Sequence, residues 1–385
     1  WWFSRRRSAT SAAVYKTRSD TTQTYLNGCG RRAPVSDAAP RAHRYRRRAM
    51  TAVLVTAAQL DAHGEVFRAA APGARLLAMD AHGTIRDGDA EVPWEEAAVD
   101  VAFGSTDLFE RLGGDDTELR RFFGFLLRCD SLRWFQVAAA GVDAPVFGIL
   151  LERGVRLTTT HHTATPIAEY VLAQVLRARL PLDAMEADRR SGRWRHQEWD
   201  EVAASRWLVL GLGAIGQAVA ARARAFGASV TGMRRTPRGD EPVDSVIGMD
   251  EVPAALADHD VVVAALPSTA PTAGLFDADL LARIRPGSIL VNVGRGSLID
   301  EDALRSSLDA DRPGTAILDV TATEPLPEGH WLWDHPKVVL TSHTSSGGRQ
   351  RVERAARLFA ANLTRREAGE PLVDEVTADA REAPS

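Results

Sequence analysis

One stretch of ten residues decides the fold: Trp207–Gly216, which reads Trp-Leu-Val-Leu-Gly-Leu-Gly-Ala-Ile-Gly. Its first four residues are apolar, as in a buried parallel strand, and the glycines lead into a helix predicted over about Gln217–Phe226. A second apolar strand is predicted at Ser229–Met233. This strand–turn–helix–strand order favours a dinucleotide-binding site; a purely structural glycine turn is the alternative.

Each glycine of the turn has a physical task. Gly211 allows the sharp turn, Gly213 lets backbone N–H groups approach a pyrophosphate, and Gly216 lets the helix lie close to the strand. The N-terminus of the helix that follows offers unpaired N–H donors and a partial positive charge to the phosphates. Ala214 and Ile215 lie between the second and third glycines. We therefore expect these five residues to contact a cofactor.

The second half of the chain alternates apolar strands with helices in a regular way. Nearly continuous apolar strands of this kind indicate a parallel sheet that is covered on both faces. The predicted strands are Ser229–Met233, Val261–Leu266, Ser288–Val293, Thr315–Val320 and Val338–Thr341, and the helices are Val252–Ala257, Asp277–Arg283 and Glu301–Leu308.

The first half contains a smaller α/β unit, with strands at Val53–Thr56, Val99–Phe103 and Phe135–Ala138 and a helix at Glu118–Arg128. A last helix, at about Gly348–Leu363, is expected to pack back on this unit. The predicted fold class is α/β, with two doubly wound parallel-sheet domains and a cleft between them. The expected domains are a flavodoxin-like substrate domain, residues 50–160 plus 345–385, and a Rossmann dinucleotide-binding domain, residues 161–344.

The composition of the 385 residues, 45% hydrophobic and 25% charged, suits a globular protein of about two domains. No apolar run reaches the roughly 18 residues that span a bilayer. Cys29 and Cys129 give neither a disulfide framework nor metal-ligand spacing, so a reducing, cytoplasmic setting and no metal are expected. His161 and His162 favour a polar hinge over a metal site, because no acid or cysteine stands at ligand spacing.

Charge is distributed unevenly along the chain. Residues 1–49 contain 12 basic and two acidic residues, whereas the remainder contains 35 basic and 49 acidic residues. The acidic remainder should bind neither nucleic acid nor an anionic membrane. Residues 1–49 lack apolar periodicity, so we expect a disordered or non-native extension before Met50. A transit peptide and a basic nucleic-acid-binding arm are the alternatives.

Three polar residues each follow a predicted strand of the second half: Arg295, Glu324 and His343. Each alone has an ordinary explanation, as a surface arginine, a loop glutamate or a hydrogen-bonded structural histidine. Parallel strands, however, direct their carboxyl ends to one edge of the sheet, where ligands of such folds bind. The three residues together therefore indicate an active site.

From Met50 onward the chain resembles the D-isomer-specific 2-hydroxyacid dehydrogenase family. The resemblance implies hydride transfer between a nicotinamide cofactor and a 2-oxo or 2-hydroxy acid, usually in a homodimer. It rests on Gly211–Gly216, Asn292–Gly296, Asp319–Pro325, Trp333–Pro336, His343 and the tail Leu358–Val376.

The chemistry of a 2-oxo acid suits the three polar residues. Arg295 is planar and permanently charged, so it can bind the carboxylate and polarise the neighbouring carbonyl. Protonated His343 can give its proton to the developing alkoxide. Glu324 favours that imidazolium and orients its ring.

Two further substrate contacts are expected, and the first of them is implied by the resemblance. Backbone N–H groups of Ala140 and Gly141 would hold the substrate carboxylate, although an ordinary turn is the alternative there. Trp194 is expected to line the substrate site across a dimer interface. The alternative is that this tryptophan packs against a helix. One departure is Ser342, which stands before His343 where many relatives have proline.

The cofactor is expected to be NADP rather than NAD. Many NAD sites carry an acid about 20 residues after the glycines, which binds the ribose 2′-OH. Here Arg234 and Arg235 stand at that place, and arginine attracts a 2′-phosphate; a solvated basic loop is the alternative. Further expected cofactor contacts are Leu266, Pro267, Thr272, Val293, Gly294, Asp319 and His343.

We therefore expect an NADP(H)-preferring reductase of glyoxylate or hydroxypyruvate. The alternatives are a dehydrogenase for phosphoglycerate or D-lactate, or a cofactor-sensing binding protein similar to the corepressors of this family. Formate oxidation is disfavoured, because formate dehydrogenases carry glutamine at the place of Glu324.

Overall fold

The structure is a computed structural model that describes residues 51–109, 117–139, 142 and 144–376. Residues 1–49 and the expected substrate contacts Ala140 and Gly141 lie outside the described residues. The chain forms two compact units, one of residues 51–159 with 356–376 and the other of residues 160–355. Residues 345–355 thus belong to the second unit, whereas the sequence prediction placed them with the first.

The first unit is built on a seven-stranded sheet. Five strands are parallel in the order β2-β1-β5-β6-β7, and an antiparallel hairpin, β3–β4, extends the sheet beyond β2. The five parallel strands have the doubly wound order expected of a flavodoxin-like domain. Its strands are β1 (Ala52–Thr56), β2 (Arg75–Met79), β3 (Ile85–Asp87), β4 (Ala90–Val92), β5 (Val101–Gly104), β6 (Trp134–Val137) and β7 (Arg156–Thr158).

Helices cover this sheet, and aromatic side chains join them to it. The C-terminal helix contributes Phe359, whose ring lies 5.3 Å from that of Phe67 and 4.7 Å from that of Phe103, measured between ring centroids. The expected return of the last helix to the first unit is therefore seen. The helices are α1 (Ala57–Ala70), α2 (Thr106–Phe109), α3 (Thr117–Leu126), α4 (Pro145–Glu152) and the C-terminal α11 (Arg351–Ala368), which begins in the second unit.

The second unit contains a seven-stranded, fully parallel sheet in the order β10-β9-β8-β11-β12-β13-β14. Its strands are β8 (Arg206–Leu210), β9 (Ser229–Met233), β10 (Ser245–Ile247), β11 (Val261–Ala264), β12 (Ile289–Asn292), β13 (Thr315–Leu318) and β14 (Val338–Leu340). Its helices are α5 (Ala164–Arg179), α6 (Leu182–Arg190), α7 (Ala214–Ala225), α8 (Val252–Ala255), α9 (Ala278–Leu281) and α10 (Glu301–Asp309).

The central strand β8 shows why this sheet must be covered on both faces. Trp207 and Val209 belong to one hydrophobic core, and Leu208 and Leu210 belong to another. Successive side chains of a strand point to opposite faces, so both faces of the sheet are buried. The predicted fold class, two α/β units with parallel sheets, is confirmed. None of the helices in the described part of the chain has the length and apolar character that a bilayer crossing requires.

Candidate active site

Three neighbouring strands bring the predicted catalytic side chains to one edge. Arg295 follows β12, Glu324 follows β13, and His343 follows β14. The three strands pair in this order and run parallel, so their carboxyl ends share one edge of the sheet. All three residues are exposed there, as side chains that meet a substrate must be.

Glu324 and His343 form a hydrogen-bonded pair. The Nδ1 atom of His343 lies 2.9 Å from Oε2 of Glu324. This hydrogen bond raises the pKa of His343 above its ordinary value, while partial burial and the positive charge of Arg295 act in the opposite direction. The hydrogen bond therefore favours the imidazolium form, with Nδ1 directed to the carboxylate and Nε2 directed away from it.

The loop of Glu324 fixes the carboxylate from its other side. Oε1 of Glu324 accepts the N–H of Thr321 at 3.1 Å, and Oε1 of Glu301 accepts the N–H of Ala322 at 2.8 Å. Gly296 comes close to this loop, because a Cβ atom there would lie 1.9 Å from the carbonyl oxygen of Thr321. Only glycine lets the segment that carries Arg295 pass so near the Glu324 loop.

Arg295 is presented by a braced turn. Asn292 is fully buried; its Nδ2 donates to the Arg295 carbonyl at 2.9 Å, and its Oδ1 accepts the Gly294 N–H at 3.0 Å. The Arg295 guanidinium donates to the Gly294 carbonyl at 2.9 Å and remains exposed. The sequence contained a signal for this brace, a polar residue at the end of the apolar strand β12.

Asp319 shapes the turn that presents His343. The buried carboxylate accepts the hydroxyl of Thr341 at 2.6 Å and the N–H groups of Thr344 at 2.9 Å and Ser345 at 3.1 Å. The N–H of His343 donates to the Asp319 carbonyl at 2.8 Å, and His343 has a positive φ of 49°. The role of Asp319 in this turn was not predicted from the sequence. The contact between Asp319 and the cofactor, which was predicted, stays a prediction.

Tyr170 extends this hydrogen-bond chain from helix α5. Its hydroxyl lies 2.8 Å from Oγ1 of Thr341, which in turn donates to Asp319. Burial raises the pKa of Tyr170 to about 12. The phenol thus stays neutral and serves the turn as a hydrogen-bond partner, a role that sequence reasoning missed.

The glycine-rich turn between β8 and α7 has the geometry that a dinucleotide needs. Gly211 has a φ of 96°, and a Cβ atom on Gly216 would lie 1.8 Å from the Gly211 carbonyl oxygen. At Gly213, by contrast, a Cβ atom would meet no protein atom within 4 Å. Helix α7 begins right after it, at Ala214, with no side-chain cap. These residues fit a pyrophosphate, which the first-turn N–H groups, that of Ile215 included, would bind.

Arg234, expected to meet a 2′-phosphate, is paired with an acid in the structure. Its Nη1 lies 2.8 Å from Oε1 of Glu241, whereas Arg235 is exposed. Glu241 stands seven residues further along the chain, and the loop folds back and brings it to the arginine. The sequence analysis did not identify this acid, and the expected contact of Arg234 with a 2′-phosphate stays a prediction.

The other expected cofactor contacts lie past the ends of β11 and β12. The Thr272 hydroxyl donates to the Pro267 carbonyl at 2.7 Å and closes a turn. Gly294 lies against Leu266, because a Cβ atom there would be 2.6 Å from the Leu266 carbonyl oxygen. Val293 is buried beside them. The segments after β11 and β12 lie at the same carboxyl ends of the parallel strands as the glycine-rich turn after β8.

Trp194 lies outside this edge, in the segment after α6, and is fully exposed. The buried carboxylate of Asp188 holds this segment, since it accepts hydrogen bonds from Arg195 at 2.7 Å and from Gln197 at 2.8 Å. The alternative of a helix-packing tryptophan is excluded by this exposure within the chain.

The histidine pair shows no metal site. His162 is buried, its Nδ1 is bonded to the hydroxyl of Thr160, and burial lowers its pKa to about 4. Nowhere in the described ranges do three or more histidine, cysteine, aspartate or glutamate residues form a group that could hold a metal ion.

The chain is similar to proteins of one family. The family model for the NAD-binding domain of D-isomer specific 2-hydroxyacid dehydrogenases matches residues 172–345. Glyoxylate/hydroxypyruvate reductase A of Serratia proteamaculans is 33% identical over 214 residues, which cover 54% of this chain and 68% of that protein. D-3-phosphoglycerate dehydrogenase of Mycobacterium tuberculosis is 34% identical over 248 residues, 62% of this chain; the alignment spans 46% of that enzyme, about half of its length.

A solved structure shows the same similarity in three dimensions. The D-isomer specific 2-hydroxyacid dehydrogenase from Xanthobacter autotrophicus Py2, in complex with NADPH and MES, superposes with a TM-score of 0.65 at 32% identity. The superposition covers 86% of this chain and 98% of that one.

Proposed function

The chain belongs to the D-isomer-specific 2-hydroxyacid dehydrogenase family and is an NAD(P)-dependent oxidoreductase, and from this premise we propose that it reduces glyoxylate or hydroxypyruvate with NADPH. The observation that carries the proposal is the hydrogen bond between His343 and Glu324, at the sheet edge that also presents Arg295. A charged acid–base pair beside an exposed arginine suits the reduction of an anionic carbonyl compound.

The three residues divide the chemistry among them. Arg295 binds the substrate carboxylate and polarises the neighbouring carbonyl. When bound, the reduced nicotinamide supplies the hydride to the carbonyl carbon. Nε2 of His343 gives its proton to the carbonyl oxygen, which becomes the hydroxyl group of the product. Glu324 stabilises the imidazolium before this transfer and holds the ring in place.

The substrate assignment draws on the relatives and on the residues. The relative from Serratia is named a glyoxylate/hydroxypyruvate reductase, and the one from Mycobacterium a phosphoglycerate dehydrogenase, so phosphoglycerate and D-lactate remain the rival substrates. Glutamate at position 324 disfavours formate as the substrate, because formate dehydrogenases carry glutamine at this place. We assign the substrate carboxylate to Arg295, and its expected contact with backbone N–H groups of Ala140 and Gly141 stays a prediction.

Preference for NADPH is supported by the arginines after β9. Arg234 and Arg235 take the position at which NAD sites place an acid, and the Xanthobacter relative was solved with NADPH. Pyrophosphate is assigned to the turn from Gly211 to Gly216. The remaining assigned cofactor contacts are Leu266, Pro267, Thr272, Val293, Gly294, Asp319 and His343.

We also propose a homodimer in which Trp194 of one protomer walls the substrate site of its partner. The exposed indole and the hydrogen bonds that fix its segment support this assignment. Light scattering should give the mass of a dimer, and Trp194→Ala should raise the KM of the 2-oxo acid. A monomer with full activity would contradict the proposal.

The test of the function is a panel of 2-oxo acids. Oxidation of NADPH and of NADH is followed at saturating cofactor with glyoxylate, hydroxypyruvate, pyruvate and phosphohydroxypyruvate. We expect the highest kcat/KM for glyoxylate or hydroxypyruvate with NADPH. A higher value for phosphohydroxypyruvate or pyruvate would overturn the substrate assignment. Binding of NADPH without turnover on any acid would favour a cofactor-sensing protein.

A further inference from the structure

The loop after β9, residues 234–241, folds around one buried carboxylate. The side chain of Glu241 is only 2% exposed. Its Oε1 accepts the Arg238 N–H at 2.7 Å and Nη1 of Arg234 at 2.8 Å, and its Oε2 accepts the Gly239 N–H at 2.8 Å. One carboxylate thus joins both ends of the loop to its middle.

The hydrogen bonds to this carboxylate favour its charged form. The hydrogen bond from the Arg238 amide, aided by that from Gly239, lowers the pKa of Glu241 to about 2. An acid near the end of β9 could in principle bind a ribose 2′-OH. Glu241 is not presented for that purpose, because its two oxygens already accept three hydrogen bonds and are buried.

The hydrogen bond with Glu241 fixes the orientation of Arg234. A guanidinium has five N–H donors in a rigid plane, and the bond to Glu241 uses Nη1 and sets the direction of the plane. Since Arg234 is only 17% exposed, it has lost most of its rotamer freedom before any ligand binds. An arginine held in this way loses less entropy on binding a phosphate than a free one.

We propose that Glu241 is the positioning residue of the cofactor-specificity site: it holds Arg234 and the turn at Arg238–Gly239 in the arrangement that receives a 2′-phosphate. The inference rests on the proposed preference for NADPH and adds the residue that orients Arg234 for it. Exposed Arg235 and Arg238 supply positive charge that Glu241 does not neutralise directly. The rival view is that Glu241 merely competes with the phosphate for Arg234.

The two views predict opposite effects of removing the carboxylate. The probes are adenosine 2′,5′-bisphosphate, which carries the 2′-phosphate, and 5′-AMP, which lacks it; both affinities are measured by calorimetry on the full chain. Glu241→Ala should weaken binding of the bisphosphate about tenfold and leave 5′-AMP within about twofold. Glu241→Gln, whose amide oxygen can still accept N–H groups, should lie between Glu241→Ala and wild type.

Asp240 offers the matched control. It is exposed and carries the same charge in the same loop, so Asp240→Asn should leave the ratio of the two affinities unchanged or slightly raise it. In an Arg234→Ala background, Glu241→Ala should change that ratio by less than about twofold, because Glu241 acts through Arg234. Melting curves identify any variant that loses the fold.

Three results would overturn the inference. If Glu241→Ala binds the bisphosphate as tightly as wild type or more tightly, Glu241 only competes for Arg234. If Glu241→Ala weakens both probes equally, its role is general folding. If the wild-type protein does not prefer the bisphosphate over 5′-AMP, the proposed NADPH preference fails along with this inference.

Discussion

At the level of single residues, the two oxygens of Glu324 have different tasks. Oε2 accepts the hydrogen bond of His343, and Oε1 accepts the N–H of Thr321 in its own loop. The orientation of the carboxylate is therefore fixed by the backbone before it meets the imidazole. Its charge then decides how readily His343 keeps a proton.

Replacement of His343 should separate chemistry from cofactor binding. His343→Ala should lower kcat for glyoxylate reduction by roughly 10²–10⁴, the usual contribution of a positioned general acid. The Kd of NADPH should change little, because Gly211–Gly216 and Arg234 are the proposed phosphate ligands. Steady-state kinetics and fluorescence titration measure the two quantities.

The adjacent Ser342 is exposed and provides the control, since Ser342→Ala should behave as wild type. Near-normal turnover in His343→Ala would show that another group supplies the proton.

At the level of elements, close backbone approaches hold the site together. The strand ends of β12, β13 and β14 give only the approximate positions of the three catalytic side chains. Gly296 then allows the Arg295 segment to approach the Glu324 loop, and Asp319 shapes the turn that carries His343. These contacts with the backbone set the geometry together with the pair of His343 and Glu324.

The role of Asp319 in the turn that carries His343 can be tested by replacing its carboxylate with an amide. Asp319→Asn keeps the shape of the side chain but replaces one acceptor oxygen by a donor, which faces N–H groups that need an acceptor. We expect a loss of about 1–3 kcal/mol in the free energy of unfolding. The kcat should fall because His343 is displaced. The Kd of NADPH should rise only modestly, because Asp319 is one of several assigned cofactor contacts. A raised Kd with an unchanged kcat would show that Asp319 serves the cofactor alone and does not act through the turn of His343.

The glycines of the dinucleotide turn should respond in different ways to the same substitution. Gly216→Ala should destabilise the protein by about 1–3 kcal/mol, because its Cβ atom would overlap the Gly211 carbonyl. Gly213→Ala should leave stability nearly unchanged, since the space around it is open, but should weaken NADPH binding by occupying the place of the pyrophosphate.

Urea unfolding and NADPH titration distinguish the two effects. If Gly213→Ala bound NADPH as wild type does, the pyrophosphate would not lie at this turn.

At the level of the whole molecule, long apolar strands were predictable and edge elements were not. The buried strands around Trp207–Leu210 and Val261–Ala264 were predicted within one or two residues, because continuous apolar runs have few alternatives. Strand Ile85–Asp87 and its hairpin partner have three residues each, too few for a period to show. Strand Arg75–Met79 was missed because leucine, alanine and methionine also favour helices.

The same reasoning explains what was missed in the site. Arg295, Glu324 and His343 follow strong strands, so their shared edge could be inferred from the order of strands alone. Asp319 and Glu241 act through backbone N–H groups, whose positions depend on turns that no residue pattern specifies. Glu241 also reaches Arg234 only because the loop between them closes, which depends on its own hydrogen bonds.

The central claim is that His343, held protonated by Glu324, gives the proton in 2-oxo acid reduction. The most direct test is the pH dependence of kcat for reduction in wild type, Glu324→Gln and the control Glu328→Gln, which removes an exposed charge nearby. Reduction needs the imidazolium, so its rate should be constant at low pH and fall as pH rises through the raised pKa of His343.

In Glu324→Gln the falling limb should move to lower pH, because the hydrogen bond to a charged carboxylate that raises the pKa is gone; in Glu328→Gln it should not move. Oxidation of the 2-hydroxy acid needs the neutral ring, so its rate should rise through the same pKa. An unmoved limb in Glu324→Gln would contradict the account.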